Sequence, residues 1–246
     1  TKTIHIQDPH IEPHYFDLMI TPCHDDIAQK AAHGQMYVPN LLTTTGALNR
    51  LDKAEIEDEA AALEIAYNKD QINGRELALV MIGGNNRRYK AGADAFTKLA
   101  EELASFAQMT GVRLALVPSR RTPKRGFRVL AEELEGRLGG EASWVWDGLG
   151  YNPYPGLLGL AKYVIITSDS VNMTTEAALT GKPVLTAELA EEKGRISHFH
   201  QIMQAGRHTA RLKDVLAHPE RLNETFVVLD ERISISEAVY KFFEGA

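Results

Sequence analysis

Residues 162–188 read KYVIITSDSVNMTTEAALTGKPVLTAE, and no other stretch constrains the architecture as tightly. Tyr163 to Thr167 is a short apolar, β-branched run of the kind found in strands covered on both faces. It stops at Ser168-Asp169-Ser170. A helix follows, with Met173, Ala177 and Ala178 on one face, and Gly181 ends it before Pro183 opens a second apolar run at Val184-Leu185. The unit is strand, polar loop, helix, strand. In open α/β sheets ligands lie beyond the carboxyl ends of the strands, and the free N–H groups and dipole of the following helix favour an anion there. Ser168, Asp169, Ser170 and the amides of Val171, Asn172 and Met173 can therefore surround a phosphate, while Glu176 can accept hydrogen bonds from ribose hydroxyls. The plainer reading is that Ser and Asp simply cap a helix, since the glycines of a dinucleotide fingerprint or a P-loop are missing.

On either side of this unit, strand-like and helix-like segments alternate. Strands are expected at 76–82, 112–117, 143–146, 163–167 and 183–186, with a further short one at Phe226 to Leu229. Helices are expected near 53–68, 92–108, 125–138, 153–161, 172–180 and 197–205, and again from Ser236. Such alternation predicts an α/β fold with a parallel sheet. The unusual residues fall at the carboxyl ends of these strands: Gly83-Gly84-Asn85 after the first, Ser119-Arg120-Arg121 after the second, Trp146-Asp147 at the third. Parallel strands share one such edge, so these groups converge on a single crevice with Ser170 and Glu176. There Gly83 and Gly84 admit a close backbone approach, and Arg120 or Arg121 offers charge-assisted bonds to a diphosphate. Trp146 can stack on a base, although Trp144 and Trp146 are also ordinary core residues. Beyond the fifth strand, Arg195 can meet a phosphate, and His198 or His200 can move protons if not simply structural. Lys182 reads as a helix-end cation.

The first 40 residues hold three short strand candidates, Thr3 to Gln7, Asp17 to Thr21 and Gln35 to Val38, with almost no helical cover. They read as the end of a domain that begins earlier, so a preceding segment is expected before Thr1. Leu42 to Asn49 reads as a small-residue turn with a hinge at Gly46. His10 and His14 have metal-like spacing, but Pro9 and Pro13 oppose a helix there and no third ligand is evident; no metal site is expected.

Composition excludes several classes. The chain has 246 residues, 44% hydrophobic and 24% charged, which is material for one large or two modest cores. A net charge of −6 argues against a surface that tracks nucleic acid. One cysteine, Cys23, excludes an internal disulfide and suits a cytoplasmic protein. No apolar run approaches the roughly 20 residues of a membrane span, which leaves peripheral membrane contact open. Oligomeric state is not legible.

Taken together, MIGGNNRRY, VPSRRTP, WVWDG, NPYPGLLGLAKYVIITSDSVNMTTEAALTGKPV, GRISHFH, QDPH and FDLMITPCHD resemble the mitochondrial fission (elongated mitochondria) family of glycosyltransferase-like proteins. The stretch around Ser170 is also similar to the nucleotide-binding domain of GT-B glycosyltransferases and of UDP-N-acetylglucosamine 2-epimerase. The resemblance implies a GT-B-like arrangement in which residues 1–45 close an acceptor-side domain and residues 46–246 form a Rossmann-like, nucleotide-sugar-binding domain. It places Ser170 at the diphosphate and Glu176 at the ribose. Val171-Asn172 replaces the epimerase's Gly-Gly pair. The activity so implied is transfer of a sugar from a nucleoside diphosphate sugar to an unidentified acceptor, with no cofactor or metal. A nucleotide-sugar 2-epimerase and a non-catalytic adaptor remain as alternatives, and no catalytic residue is singled out.

Overall fold

A computed structural model describes residues 1–66, 76–84, 91–140 and 143–244 of the chain. Two wholly parallel sheets carry it. The first comprises β1 (Ile4–Ile6), β2 (Leu18–Pro22) and β3 (Leu41–Thr44), paired in that order, with the short helix α1 (Asp26–Ala32) crossing from β2 to β3. Helix α2 (Lys53–Ala66) leads to the second sheet. Its strands are β4 (Leu77–Ile82), β5 (Arg113–Pro118), β6 (Ser143–Val145), β7 (Tyr163–Thr167), β8 (Val184–Ala187) and β9 (Ala210–Arg211). Between them run α3 (Ala93–Thr110), α4 (Lys124–Leu138), α5 (Tyr154–Leu160), α6 (Val171–Ala178) and α7 (Arg195–Ala205), with α8 (Leu212–Ala217) and α9 (Arg232–Glu244) completing the chain.

The spatial order β6-β5-β4-β7-β8-β9 places the first strand of this sheet beside the fourth, so the chain reverses its direction of winding between β4 and β7. Every residue of β4, β7 and β8 is buried, which is why these strands are uninterrupted apolar runs rather than alternating ones. One face of the sheet packs Val80, Ile82, Leu114 and Leu116 against Phe96, Leu99, Leu103 and Leu130 of α3 and α4. The other packs Leu79, Met81, Val164 and Ile166 against Ile56, Leu63, Leu157 and Ala177 of α2, α5 and α6. Each fully buried aliphatic side chain contributes about 1.5–3 kcal/mol relative to exposure, so a sheet clothed on both sides is a rigid base for the loops at its edge.

Two expected strands change. The third strand of the first sheet is Leu41–Thr44, not Gln35 to Val38. Its threonines and the nearby glycine resemble a turn, yet the residues pair in register with Met19 to Pro22. Phe226 to Leu229 forms no strand. Val227 N–H donates to the Arg207 carbonyl and Leu229 N–H to the Ala178 carbonyl, and the sixth strand is Ala210–Arg211.

The segment between the sheets is held on two sides. Thr45 N–H donates to both carboxylate oxygens of Glu231 at 2.9 Å, Gly46 N–H donates to the same group at 3.3 Å, and Ala47 N–H donates to Thr175 Oγ1 at 3.2 Å. A side chain at Gly46 would collide with Thr175. The expected hinge is therefore a clasped joint. Helix α9 then returns to the first sheet, where Lys2 Nζ donates to the Phe242 carbonyl and lies 4.3 Å from the Phe242 ring.

Candidate functional site

The loops after β4, β5 and β7 meet at the point where the winding reverses, and Asp169 joins them. Its side chain is wholly buried. Thr167 Oγ1 donates to Asp169 Oδ1 at 2.7 Å, Gly84 N–H donates to Oδ2 at 3.0 Å, and Arg121 Nη2 donates to Oδ2 at 3.2 Å. Gly83 N–H in turn donates to Thr167 Oγ1 at 2.7 Å. Thr122 Oγ1 donates to the Ile82 carbonyl at 2.6 Å, and Ser119 N–H to the same carbonyl at 2.8 Å. The close backbone approach expected at Gly83 and Gly84 is present, but it is the protein that approaches. A Cβ on Gly83 would overlap the Asp169 carboxylate, and one on Gly84 the Arg121 carbonyl. Both glycine amides are occupied, and Asp169 faces inward, so these three residues build the rim rather than line it. Arg121 remains 44% exposed beside Asp169, and Arg120 is exposed at the tip of the turn. Asn85 lies outside the described residues.

The β7–α6 turn is different. Ser170 takes extended backbone angles, and its Oγ accepts from Met173 N–H at 3.4 Å, which makes it the N-cap of α6. The first amides of a helix have no partner within it, and in α6 these are the amides of Val171 and Asn172, just beyond the carboxyl end of β7. Asn172 is exposed on that first turn, and Met173 packs inward against the core. Glu176 is half-buried, and Tyr154 Oη donates to its Oε2 at 2.6 Å. Burial raises the Glu176 carboxyl above the usual range, and the bond from Tyr154 works in the opposite direction. Burial, reinforced by the Glu176 charge and hydrogen bond, pushes the Tyr154 phenol well above its ordinary value, so it stays a donor at neutral pH.

Other expected members stand elsewhere. Ser168 is fully buried below the turn, with an unpartnered Oγ, and its carbonyl contacts His200 Nε2 at 2.7 Å. Arg195 pairs with Asp25 at 2.9 Å and so bridges the two sheets' loops instead of facing the turn. His24 and His200 flank Phe199 in that seam, with ring centroids 4.9 and 5.0 Å away. Burial lowers the His24 pKa to about 4, with Arg195, His198 and His200 adding to the effect and Asp25 opposing it. Trp144 and Trp146 share one face and both pack on the core beside Tyr154. Trp146 Nε1 donates to the Leu149 carbonyl at 3.1 Å, and Asp147 accepts from Leu149 N–H at 2.8 Å. Lys182 does act as a helix-end cation, but for α5, whose Leu158 and Gly159 carbonyls accept from it. Among the described residues, no group of three or more His, Cys, Asp and Glu is arranged to hold a metal, and no helix is long and apolar enough to cross a membrane.

The sequence reading passed over Tyr154 and Thr167. Tyr154 opens the helix that follows the third strand's loop and carries a hydroxyl, which is the signal that could have marked it.

Comparisons with known proteins bear on the family and the fold. The family model described as Mitochondrial fission ELM1 matches residues 1–242. Mitochondrial fission protein ELM1 of Arabidopsis thaliana is 29% identical over 217 residues, covering 82% of this chain and 49% of that protein. An uncharacterized protein of Rickettsia prowazekii (strain Madrid E) is 26% identical over 210 residues, 74% of this chain and 56% of that one. The chain thus spans about half the length of these curated relatives. Among solved structures, a UDP-N-acetylglucosamine 2-epimerase-like protein from Listeria monocytogenes superposes with a TM-score of 0.56 at 15% identity, covering 95% of this chain and 62% of that one. The S. aureus MnaA–UDP co-structure gives 0.56 at 14% identity, with 94% and 62% covered. The UDP-GlcNAc 2-epimerase from Neisseria meningitidis bound to UDP-GlcNAc gives 0.53 at 11%, with 93% and 62% covered. At these identities the likeness is one of fold, and that fold is of the GT-B type.

Proposed function

The chain belongs to the mitochondrial fission ELM1 family, and from that premise we propose that it binds a nucleoside diphosphate sugar at the β7–α6 turn and transfers the sugar to an acceptor. One observation carries the reading: a Ser-capped helix N-terminus and a half-buried carboxylate follow each other on α6, beside the point where the sheet's winding reverses. The amides of Val171 and Asn172 and the hydroxyl of Ser170 suit a diphosphate, whose charge the helix dipole favours. Glu176 suits ribose hydroxyls. When the sugar's anomeric carbon–oxygen bond breaks, charge grows on the departing diphosphate, a charge that the exposed guanidinium of Arg120 on the neighbouring loop suits. The fold neighbours solved with UDP or UDP-GlcNAc support a uridine nucleotide as the first probe.

A 2-epimerase acting on the same ligand would release UDP from UDP-GlcNAc with no acceptor present, which separates it from a transferase. The Arabidopsis relative's name favours a further reading, a module of this fold that recruits a partner and binds no nucleotide. Thermal unfolding with saturating UDP tests them together. A ligand at about 100 times its Kd adds about 2.7 kcal/mol, which raises the melting temperature of a chain this size by roughly 5–10 °C. Glu176→Ala is expected to remove most of that rise. A wild-type curve unmoved by UDP and by the ADP, GDP and CDP series would leave the partner-recruiting reading.

A further inference from the structure

The hydrogen bond between Tyr154 and Glu176 has no role in the fold's regular pairing. It joins the first residue of α5 to α6, the helices that precede and follow β7 in the chain. Tyr154 is firmly seated: its N–H donates to Asn152 Oδ1 at 3.2 Å, its ring packs on the core cluster beside Trp144 and Met173, and Pro153 before it is buried. The helix it begins is pressed against α2, where a side chain on Gly156 would meet the Glu59 carbonyl at 2.6 Å and one on Gly159 the Ala60 methyl at 2.6 Å. A donor fixed in this way also fixes the group it binds. With Oε2 of Glu176 engaged by the phenol, Oε1 is the oxygen left to accept from a ligand.

We propose that Tyr154 is a positioning residue that engages one oxygen of the Glu176 carboxylate and leaves the other as a singly available acceptor, so that the site selects nucleotides with free ribose hydroxyls over their deoxy counterparts. This rests on the nucleotide reading of the site and adds to it a selectivity and the residue that enforces it. The surroundings leave the task to Tyr154. β7 and β8 present Val164, Ile166 and Val184 to the α6 face that carries Ala177, and none of these titrates. On the side of the linker, Asp230, Glu231 and Arg232 gather beside Thr175 rather than Glu176. Burial opposes the ionised form of Glu176 and the phenol favours it, so removing the hydroxyl leaves a carboxyl that protonates more readily. A protonated Glu176 has lost acceptor capacity.

Isothermal titration of the full chain with UDP and 2′-deoxy-UDP, from pH 5 to pH 8, tests this. Wild type is expected to prefer UDP by about tenfold, the usual effect of a hydrogen bond to a charged group. Y154F is expected to bind UDP at pH 8, to lose affinity at a higher pH than wild type as acid is added, and to show a preference reduced several-fold. E176Q removes the preference at all pH values. Because Tyr154 acts through Glu176, adding Y154F to E176Q changes neither affinity nor pH profile further, whereas a purely structural role would carry through to the double variant. Y154F with the wild-type preference and pH profile overturns the proposal while leaving nucleotide binding intact, and so does an E176Q Y154F protein weaker than E176Q. A wild-type chain that binds neither nucleotide overturns the underlying reading and this role with it. The isosteric ring keeps the core filled, and circular dichroism at each pH confirms that the variants compared are folded.

Discussion

Along the β4 and β5 half of the sheet edge, polar groups are answered by other parts of the protein: Gly83 and Gly84 by Thr167 and Asp169, Asp169 by Arg121, Thr122 by Ile82. Along the β7–α6 half, Ser170 answers a single helix amide, the next turn is exposed at Asn172, and Glu176 keeps one oxygen free. Both halves are polar and close in space, so composition does not separate them. What separates them is whether each donor already has an acceptor. A buried polar group without a partner is costly, so a rim that is closed on itself serves architecture, and the open one is left for a ligand.

This contrast can be broken or sharpened by substitution. The largest effect belongs to Gly84→Ala, whose new methyl overlaps the Arg121 backbone. No side chain can swing away, and a loss of about 3 kcal/mol or more in urea denaturation is expected; tolerance of Ala there would show the closed half to be loose. Asp169→Ala strands the Gly84 amide and the Thr167 hydroxyl in a buried place, with an expected loss of about 3 kcal/mol. Arg121→Ala is expected to cost only about 1 kcal/mol, because that guanidinium is partly solvated. Acid should act through the seam beneath Ser168. The folded His24 titrates near pH 4, below its ordinary value of 6.5, so the unfolded chain binds the extra proton first. Stability attributable to this group is intact above about pH 6.5 and falls as pH drops toward 4, by at most about 3 kcal/mol. His24→Gln is expected to flatten that part of the stability profile. On the open half, Ser170→Ala is expected to cost about 1 kcal/mol as a lost cap and to weaken UDP binding. Asn172→Ala, on an exposed turn, should leave stability within about 0.5 kcal/mol and show in UDP titration alone.

Much of this edge can be read from sequence, because β-branched runs followed abruptly by Gly, Ser, Asp and Arg mark the carboxyl ends of buried strands, and parallel winding places those ends together. The same logic fails at β3 and β9. An edge strand of two residues, or of four that ends in two threonines close to a glycine, carries too little periodicity to stand out from a turn. Glycine is ambiguous in another way: Gly83 and Gly84 announce that something must come close, and only coordinates reveal that it is Asp169 and Arg121. Arg195 and Asp25 are 170 residues apart, and nothing local to either reports their pairing. Tyr154 was within reach, since it follows a strand and bears a hydroxyl, but an aromatic beside two prolines reads first as packing.

The clasp of Glu231 on Thr45 and Gly46 has a consequence for biosynthesis. Ribosomes deliver the chain from its amino end, and structural units tend to form as they emerge. The described strands of both sheets end by Arg211, yet the carboxylate that clasps the joint between them arrives twenty residues later. Nascent chains that stop short of Glu231 hold the two layers through Ala47 and Thr175 and through Arg195 and Asp25, and Glu231 then adds the fastening at Thr45 and Gly46.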